Sequence, residues 1–256
     1  MTTVQNIMDY MEAFCPYALK AEWDSVGLHC GSRNAEVKKI MLALDPFEHV
    51  CEEAAMWGAD LLLTHHPLLF HALPAVTDDS SIARSVMTLV RNNISHFCAH
   101  TNMDTAKGGV NDVLAETLGL TDAAPFAEGL WGVMRSGYVK EQSFEDFLAF
   151  VKKKLGTDGL RYCDAGKTVH KVAVGGGGCS GGWQEAVKDG CDTFVTADIK
   201  YNEYWDAREQ GLNLIDAGHF HTENPMVKVL AQRISEAFPE IEVKISESHS
   251  DCMKYY

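Results

Sequence analysis

The sequence predicts an α/β protein with mostly parallel sheets, organised as two lobes. Short apolar runs rich in Ile, Val, Leu and Phe alternate with longer segments of helical periodicity along the 256 residues, a pattern typical of strands connected by crossover helices. This rhythm weakens at 121–141, where Ala, Gly and Pro accumulate. Such a stretch favours a boundary, so we predict an N-terminal α/β lobe over 1–125 and a C-terminal α/β lobe over 126–256, or one unit in which the two are intertwined.

Each element follows from one of two periodicities. Almost wholly apolar runs predict strands, which are Lys39–Asp45, Asp60–Thr64, Ile94–His100, Lys171–Val174, Thr193–Thr196 and Asn213–Asp216. Segments with apolar residues three and four positions apart predict helices, which span about 4–18, 47–57, 81–92, 109–119, 143–155, 183–189, 199–210 and 223–238. Thr222 is the expected N-cap of the last helix, with Pro225 in its first turn.

Composition and charge exclude several classes of protein. The 22 basic and 36 acidic residues give a net charge of -14, which opposes binding to nucleic acid or to anionic membranes. No apolar stretch approaches the roughly 20 residues of a membrane helix, and the N-terminal segment lacks the basic start and apolar block of a secretion signal. We therefore expect a cytoplasmic protein. Its eight cysteines are scattered, without the short pair spacings of zinc ribbons, and should be mostly reduced and buried.

Histidines are concentrated near the ends of three predicted strands. Seven of the 11 histidines fall in three short windows, which hold His65, His66 and His71, then His96 and His100, and then His219 and His221. Because ligands of open parallel sheets bind at the carboxyl ends of strands, we expect the three windows to contribute to one site. A hydrogen-bonded histidine at the start of a loop is the ordinary explanation for any one of them. It does not account for three clusters at once.

Carboxylates lie close to two of these windows. Asp104 stands four residues after His100, and Glu223 stands four residues after His219. Histidine and carboxylate ligands together suit Zn²⁺, Fe²⁺ or Mn²⁺. A turn residue is the alternative interpretation of Asp104, and a helix-dipole contact is the alternative for Glu223. The shared spacing favours metal binding over two coincidences.

The adjacent histidines His65 and His66 add a second ion to this pattern. Pro67 restricts the local backbone, so the two imidazoles can diverge toward different ions. Two ions about 3.5–4 Å apart need an anionic ligand between them to offset their repulsion, and Glu223 can provide it. The residues therefore predict a dinuclear centre that keeps coordination positions open for water or substrate.

Five motifs resemble those of the NIF-three-like dinuclear metal-centre family, whose members are also labelled GTP cyclohydrolase I type 2 homologues. The motifs are WDSVGL (23–28), LLLTHHPLLF (61–70), AHTNMDTAKGGVNDVLAE (99–116), TADIKY (196–201) and DAGHFHTENPMVKVL (216–230). The resemblance spans nearly the whole chain. Its most specific elements are the paired histidine before proline and the glycine-histidine with its threonine-glutamate pair. The length of 256 residues resembles the short form of the family, without an inserted domain.

The resemblance implies two similar α/β lobes, assembly into a toroidal homo-hexamer and two divalent ions per subunit. Carried over residue by residue, His65 and His219 would hold one ion. His66 and Asp104 would hold the other, with Glu223 as the bridge. The ions would be zinc, iron or manganese, because the same ligand set serves all three.

Two further histidines in these windows are not assigned as metal ligands. His100 matches a family histidine beside the metal site, and we expect it to donate or accept a proton because imidazole exchanges protons near neutral pH. His221 matches no family position with a role, and we expect it to face solvent.

The glycine-rich run at 172–183, VAVGGGGCSGGW, supports a rival hypothesis. Gly176, Gly178 and Gly181 match the G-x-G-x-x-G spacing of an NAD-binding oxidoreductase, and Asp198 stands 20 residues after Gly178. This hypothesis leaves the histidine clusters without a role. A glycine-dense run also fits a three-glycine pattern in several registers, so the match has little specificity.

A second interpretation of the same loop is compatible with a metal site. Backbone N–H groups of Gly176, Gly177 and Gly178 would bind an anionic part of the substrate, such as a phosphate. The net charge of -14 makes such local help necessary for an anionic substrate. A tight strand-to-helix connection is the structural alternative for the loop.

These observations predict a hydrolase in which two ions activate water toward a small anionic, nucleotide-like substrate. If the family label holds, the substrate resembles GTP: water opens the imidazole ring of guanine, formate leaves and a pterin precursor forms. A phosphoesterase acting on a nucleotide would use the same ligands. The alternative from another class is a non-enzymatic metal-binding or regulatory hexamer, which predicts a closed coordination sphere, whereas five protein ligands for two ions favour an enzyme.

Overall fold

The computed structural model describes residues 1–256, apart from the side chain of Leu130. The chain forms two units, each with its own sheet. Unit 1 comprises Met1–Ala106 and Val227–Ser250, and unit 2 comprises Lys107–Met226 and Asp251–Tyr256. The chain therefore leaves unit 1 after Ala106 and returns to it at Val227.

Helices and strands alternate over much of the chain. In chain order they are α1 (Val4–Phe14), β1 (Gly27–Cys30), β2 (Lys39–Ala43), α2 (Glu48–Trp57), β3 (Leu61–Thr64), α3 (Ser81–Arg91), β4 (Ser95–Cys98), α4 (Thr101–Thr105), α5 (Val110–Thr117), β5 (Thr121–Pro125), β6 (Arg135–Gln142), α6 (Phe144–Leu155), β7 (Arg161–Cys163), β8 (Val169–Val174), α7 (Trp183–Lys188), β9 (Thr193–Thr196), α8 (Tyr201–Glu209), β10 (Asn213–Asp216), α9 (His219–Glu223), α10 (Pro225–Ala237) and β11 (Glu242–Ile245). Strands β1 and β2, β5 and β6, and β7 and β8 follow one another without an intervening α-helix. Short 3₁₀ turns lie at Tyr17–Leu19, Gly129–Val133 and Ser180–Gly182.

The sheet of unit 1 has the strand order β1-β4-β3-β2-β11. Strands β4, β3, β2 and β11 run parallel, and β1 runs antiparallel to β4 at the edge. All four residues of β3 and of β4 are buried, which is the pattern of parallel strands that are covered on both faces. The carboxyl ends of β3 and β4 are neighbours, so the segments that follow them lie side by side.

The sheet of unit 2 has the strand order β5-β6-β8-β9-β10-β7 and is mixed. Only β8, β9 and β10 run parallel, whereas the pairings of β5, β6 and β7 are antiparallel. The expectation of mostly parallel sheets therefore holds for unit 1 and is wrong for unit 2. The physical reason is visible in β6, where exposed residues interrupt the buried ones, because an antiparallel strand can keep one face in solvent.

The predicted helix at 223–238 is divided in the structure. Helix α9 begins at His219, and α10 begins at Pro225, which has no backbone N–H and so cannot continue the hydrogen-bond ladder of α9. Thr222 is therefore not an N-cap: it lies inside α9, and its hydroxyl donates to the backbone oxygen of Gly218 over 3.0 Å.

Two general expectations can be compared with the described residues. None of the helices described is both long and apolar enough to cross a bilayer. The cysteines are free thiols; Cys15, Cys51, Cys98 and Cys191 are buried, and Cys252 is exposed.

We predict that Met41→Ala lowers the free energy of unfolding by about 2–5 kcal/mol. Met41 is 0% exposed in the centre of β2, so its truncation leaves a cavity in the core cluster that also contains Leu62 and Val50. Met56→Ala is the matched control, because Met56 on α2 is 83% exposed and should change stability by less than about 0.5 kcal/mol. Urea denaturation of both variants measures the difference; equal effects would contradict the assigned core.

Candidate metal centre

The predicted ligands of unit 1 lie where β3 and β4 end. His65 and His66 follow β3 directly, and His100 follows β4 after one intervening residue. Asp104 is in α4, the short helix that begins immediately after His100. The parallel pairing of β3 and β4 thus brings ligands 35 positions apart into one cluster.

This cluster has the dimensions of a metal site. One ligand nitrogen from each of His65, His66 and His100 lies within 4.8 Å of the others. Nε2 of His65 is 3.5 Å from Oδ1 of Asp104. Three imidazoles and a carboxylate at this spacing form a donor set that suits a divalent transition-metal ion.

The two adjacent histidines are each fixed through the nitrogen that faces away from the cluster. Nδ1 of His65 donates to the backbone oxygen of Ala99 over 3.0 Å. Nδ1 of His66 donates to Oδ1 of Asp45 over 2.6 Å. A proton held on Nδ1 makes Nε2 the nitrogen with the lone pair, which is the form that binds a metal.

Asp45 has a second partner in the chain segment that follows β11. Nε2 of His249 lies 2.9 Å from Oδ2 of Asp45. Burial alone would raise the pKa of Asp45, but hydrogen bonds from His249 and His66 hold that pKa well below its usual range. The ionised carboxylate of Asp45 therefore accepts hydrogen bonds from both rings and fixes the orientation of His66.

The segment that carries His249 is itself held to α2. The carboxylate of Glu53 accepts hydrogen bonds from the backbone N–H groups of Glu247 and Ser248, each over 3.0 Å. It also accepts from the Ser246 hydroxyl over 2.6 Å. These contacts place His249 beside Asp45 from a part of the sequence about 200 residues away.

His100 has an equivalent arrangement with a buried acid. Its Nδ1 donates to Oδ1 of Asp24 over 2.7 Å, and Asp24 also accepts from the backbone N–H and the hydroxyl of Thr101. Burial alone would raise the pKa of Asp24, but the hydrogen bonds from His100 and Thr101 lower it to about 2. An ionised acid that orients a histidine is the pairing found in general acid–base catalysis.

Unit 2 places a second pair of ligands on α9. His219 and Glu223 are four residues apart on one helical face, with Nε2 of His219 3.1 Å from Oε2 of Glu223. Nδ1 of the same ring lies 2.6 Å from Oδ2 of Asp198. Burial alone would lower the pKa of His219, but hydrogen bonds to Asp198 and Glu223 raise it to about 11.

Carboxylates on both nitrogens of His219 indicate a position built for a cation. A neutral ring can donate from only one nitrogen, so its other lone pair would face the second carboxylate oxygen. A proton or a metal ion at Nε2 removes this repulsion. The residues of unit 2 thus fit a divalent ion by the chemistry of their donor set.

Asp198 adopts a conformation that side chains rarely take. It follows β9 with φ of 55°, in the left-handed region where non-glycine residues are uncommon. Its hydrogen bond to His219 lowers the pKa of Asp198 below its ordinary value. Strained backbone of this kind is concentrated at functional sites.

The glycine-rich loop packs directly against this pair. Gly177 has φ of +59°, and a Cβ on it would lie 2.0 Å from Oε1 of Glu223 and 2.9 Å from Nε2 of His219. The backbone N–H groups of Gly176 and Gly177 donate to Asn111 and to Thr222. Glycine is required here because the backbone approaches two candidate ligands.

These contacts bear on both earlier interpretations of the loop. The N–H groups of Gly176 and Gly177 donate to side chains of the same unit, so they hold the loop in place. The anion site at Gly176, Gly177 and Gly178 stays a prediction, and two of its three N–H donors already have an acceptor in the protein. A Cβ at Gly181 would lie 2.9 Å from the Trp131 ring, so close packing alone is enough to require glycine there. The NAD-binding alternative stays a prediction.

His221 is a correction to the sequence analysis. Its side chain is only 16% exposed, and Nε2 lies 3.3 Å from Oδ2 of Asp251. Nδ1 donates to the backbone oxygen of Leu155 over 3.2 Å. The expectation that His221 faces solvent is therefore wrong, because it joins α9 to the last residue of α6 and to the C-terminal segment.

Four residues around the ligands were missed by sequence reasoning as parts of a metal site. Asp45 and Asp198 each follow a strand within two residues, and Asp24 precedes β1; an acid at the end of a strand is the signal that could have found the first two. His249 has no comparable signal, because it is separated from Asp45 by most of the chain.

Fold and site together define an α/β protein with two mixed sheets and histidine–carboxylate clusters suited to divalent metal ions. The chain belongs to the Duf34/NIF3 (NGG1p interacting factor 3) family, whose model matches residues 2–252. A GTP cyclohydrolase 1 type 2 homolog from Clostridium perfringens is 34% identical to it over 261 residues, which cover 98% of this chain and 99% of the relative.

Solved structures agree with this assignment. Reduced HcgD from Methanocaldococcus jannaschii is 31% identical, with a TM-score of 0.85 over 96% of this chain and 98% of that chain. A Bacillus cereus protein related to NIF3 has a TM-score of 0.93 over 100% of this chain and 99% of that chain. The identity in the second case is 24%, so that likeness concerns the fold alone.

We predict that Gly177→Ala weakens binding of Zn²⁺ or Mn²⁺, because the new methyl group displaces the Glu223 carboxylate. Gly190→Ala is the matched control: its φ of +76° carries the same backbone strain, but nothing lies within 4 Å of its Cβ. Both variants should lose about 1–2 kcal/mol of stability, whereas only Gly177→Ala should lose metal affinity by isothermal titration calorimetry. Equal metal affinity in the two variants would refute the close approach of the loop to the ligands.

Proposed function

We propose that this chain is a metal-dependent hydrolase with a dinuclear centre. The observation that carries the proposal is shared by His65, His66 and His219: Nδ1 of each ring lies within 3.0 Å of an oxygen acceptor. Each ring can then present the Nε2 lone pair to a cation without reorientation. Such preorganisation is expected of metal ligands, and here three rings at the candidate site share it.

The proposed ligands follow from the donor sets of the two units together with the family resemblance. By the family resemblance, His65 and His219 would hold one ion. His66 and Asp104 would hold the other, and the carboxylate of Glu223 would be a ligand to both. Bound divalent ions would supply Lewis acidity and make water nucleophilic near neutral pH. The protein's contribution is to hold the ligand nitrogens in place through Asp45, Asp198 and the backbone oxygen of Ala99.

His100 is the proposed proton-transfer residue. Its Nδ1 is fixed by the ionised Asp24, so the ring can carry a second proton on Nε2 with a carboxylate to stabilise it. A ligand nitrogen of His100 lies within 4.8 Å of those of His65 and His66. A proton held there is within reach of a substrate bound at the cluster.

The names of the relatives supply a candidate substrate. Several relatives are named GTP cyclohydrolase 1 type 2 homolog, and we propose GTP as the first substrate to test. In this reaction one water adds at C8 of guanine and the imidazole ring opens to a formamide, and a second water then cleaves the formamide C–N bond and releases formate. His100 would protonate the departing nitrogen, which is the role its position and its Asp24 partner support.

The first experiment counts metal ions. Purified protein loaded with Mn²⁺ or Zn²⁺ and then dialysed should hold two ions per chain by mass spectrometry of the metal. Glu223→Ala should hold one or none, because it removes the proposed bridge. Glu209→Ala is the control, since Glu209 is exposed at the end of α8. Two ions retained by Glu223→Ala would rule out the bridge.

The second experiment tests the reaction. Metal-loaded protein incubated with GTP should release formate and form a fluorescent pterin precursor. His100→Gln should keep its metal and lose about 10²- to 10⁴-fold in rate, the usual contribution of a general acid or base. His65→Ala gives the background. If neither formate nor the pterin precursor exceeds that background, the GTP reaction is eliminated and a non-enzymatic metal-binding protein is favoured.

A further inference from the structure

Two exposed aromatic side chains of unit 1 stand beside the histidine cluster. Trp23 is 56% exposed and Phe70 is 41% exposed, and their ring centroids are 5.8 Å apart at an interplanar angle of 49°. The centroid of the His100 ring lies 6.2 Å from the centroid of Trp23 and 6.3 Å from the centroid of Phe70. Single exposed aromatics are common, but a pair that flanks a candidate catalytic histidine calls for an explanation.

Trp23 is held in this exposed position by its neighbours. The next residue, Asp24, is buried and accepts hydrogen bonds from His100 and Thr101. On the other side, the backbone N–H of Ala21 donates to the Thr101 hydroxyl over 2.9 Å. The backbone on both sides of Trp23 is therefore fixed to the start of α4, so the exposed ring is presented in a defined place.

Phe70 is held in the same way from the segment after β3. Leu68 is buried in the core of unit 1, and the backbone N–H of Leu69 donates to Nδ1 of His29 over 3.1 Å. This segment also carries His65 and His66, so one short stretch of chain presents metal ligands and an aromatic ring. Phe70 and the candidate ligands His65 and His66 thus lie on one segment, whereas Trp23 is fixed through the contacts of its neighbours with Thr101.

We propose that Trp23 and Phe70 form a stacking site for a planar heteroaromatic ring of the substrate, of the nucleobase class. The proposal rests on the hydrolase function proposed above, and it assigns binding of the substrate's base to these two side chains. An indole face binds any base by stacking, because every base has a π-face. The inclined Phe70 ring supplies an edge contact, the other favourable aromatic geometry.

The position of the stacking site also orients the ring. A base against Trp23 lies beside His100, and His100 lies beside the ligand nitrogens of His65 and His66. The ring atoms would therefore face the proton-transfer group directly. Stacking is independent of charge, so it can add affinity for an anionic nucleotide in a protein of net charge -14.

The test titrates metal-loaded, full-length protein with GMP and with ribose 5-phosphate, which lacks the base, by isothermal titration calorimetry. Wild-type protein should bind GMP more tightly than ribose 5-phosphate. Trp23→Ala should weaken GMP binding about 5- to 150-fold, the range for losing one stacked base, and Trp23→Phe should recover most of it. Ribose 5-phosphate affinity and metal content should not change.

Phe70→Leu provides an independent variant, because it removes the ring and keeps an apolar side chain; it should also weaken GMP binding selectively. Trp205→Ala is the control, since Trp205 is 50% exposed on α8 of unit 2 and should leave GMP affinity unchanged. The stacking site is overturned if wild-type protein binds GMP no better than ribose 5-phosphate, or if neither Trp23→Ala nor Phe70→Leu affects GMP. Loss of metal, or a change of mass by light scattering in Trp23→Ala, would overturn it in favour of a structural or self-association role.

The two proposals fail separately. If no formate is released but Trp23→Ala still weakens GMP binding, the GTP reaction is rejected and the stacking site is retained. Formate release that is unchanged in rate and KM by Trp23→Ala and Phe70→Leu would retain the hydrolase and reject the stacking site.

Discussion

A neutral imidazole binds a metal ion only through a nitrogen that carries no proton, so every histidine ligand needs an acceptor for the proton on its other nitrogen. The site depends on this constraint. The acceptor is a backbone oxygen for His65 and a carboxylate for His66 and His219. Each of these acceptors lies in a segment that follows a strand of the same sheet as its histidine, which is why parallel strands are useful here: their carboxyl ends deliver ligand and acceptor to one place.

The same constraint explains why ionised acids lie beside the histidines. An ionised carboxylate removed from solvent is costly unless several donors hydrogen-bond to it. Asp45 meets this condition with two rings, His66 and His249, and Asp24 meets it with His100 and Thr101. In both cases the pKa of the acid falls below its usual range. The negative charge that stabilises each histidine also attracts a cation to its far side.

The sequence predicts the centre of each sheet better than its edges. The predicted strands all occur, because β2, β3 and β4 of unit 1 and β8, β9 and β10 of unit 2 are apolar runs with a strong pattern. The missed strands include the four at the edges, β1, β11, β5 and β7, which are short, and β5 (Thr121–Pro125) is exposed at every position. The interior strand β6 was also missed, because exposed residues interrupt its apolar pattern. Edge strands bury little, so the hydrophobic pattern that reveals a strand is absent there. The antiparallel pairing of unit 2 was missed for the same reason.

The candidate ligands carry stronger sequence signals than the residues that support them, which follows from how each is encoded. His219 and Glu223 are four residues apart, so one helical turn brings them together whatever the rest of the chain does. Asp45 and His249 are brought together only by tertiary structure, and no spacing in the sequence indicates their contact. The glycine loop shows the remaining limit: a glycine at 177 is equally consistent with binding a phosphate and with avoiding a collision. Two observations favour the second explanation: a Cβ on Gly177 would point toward Glu223 and His219, and the Gly177 N–H already donates to Thr222, whereas a phosphate cradle requires N–H groups that bind nothing else.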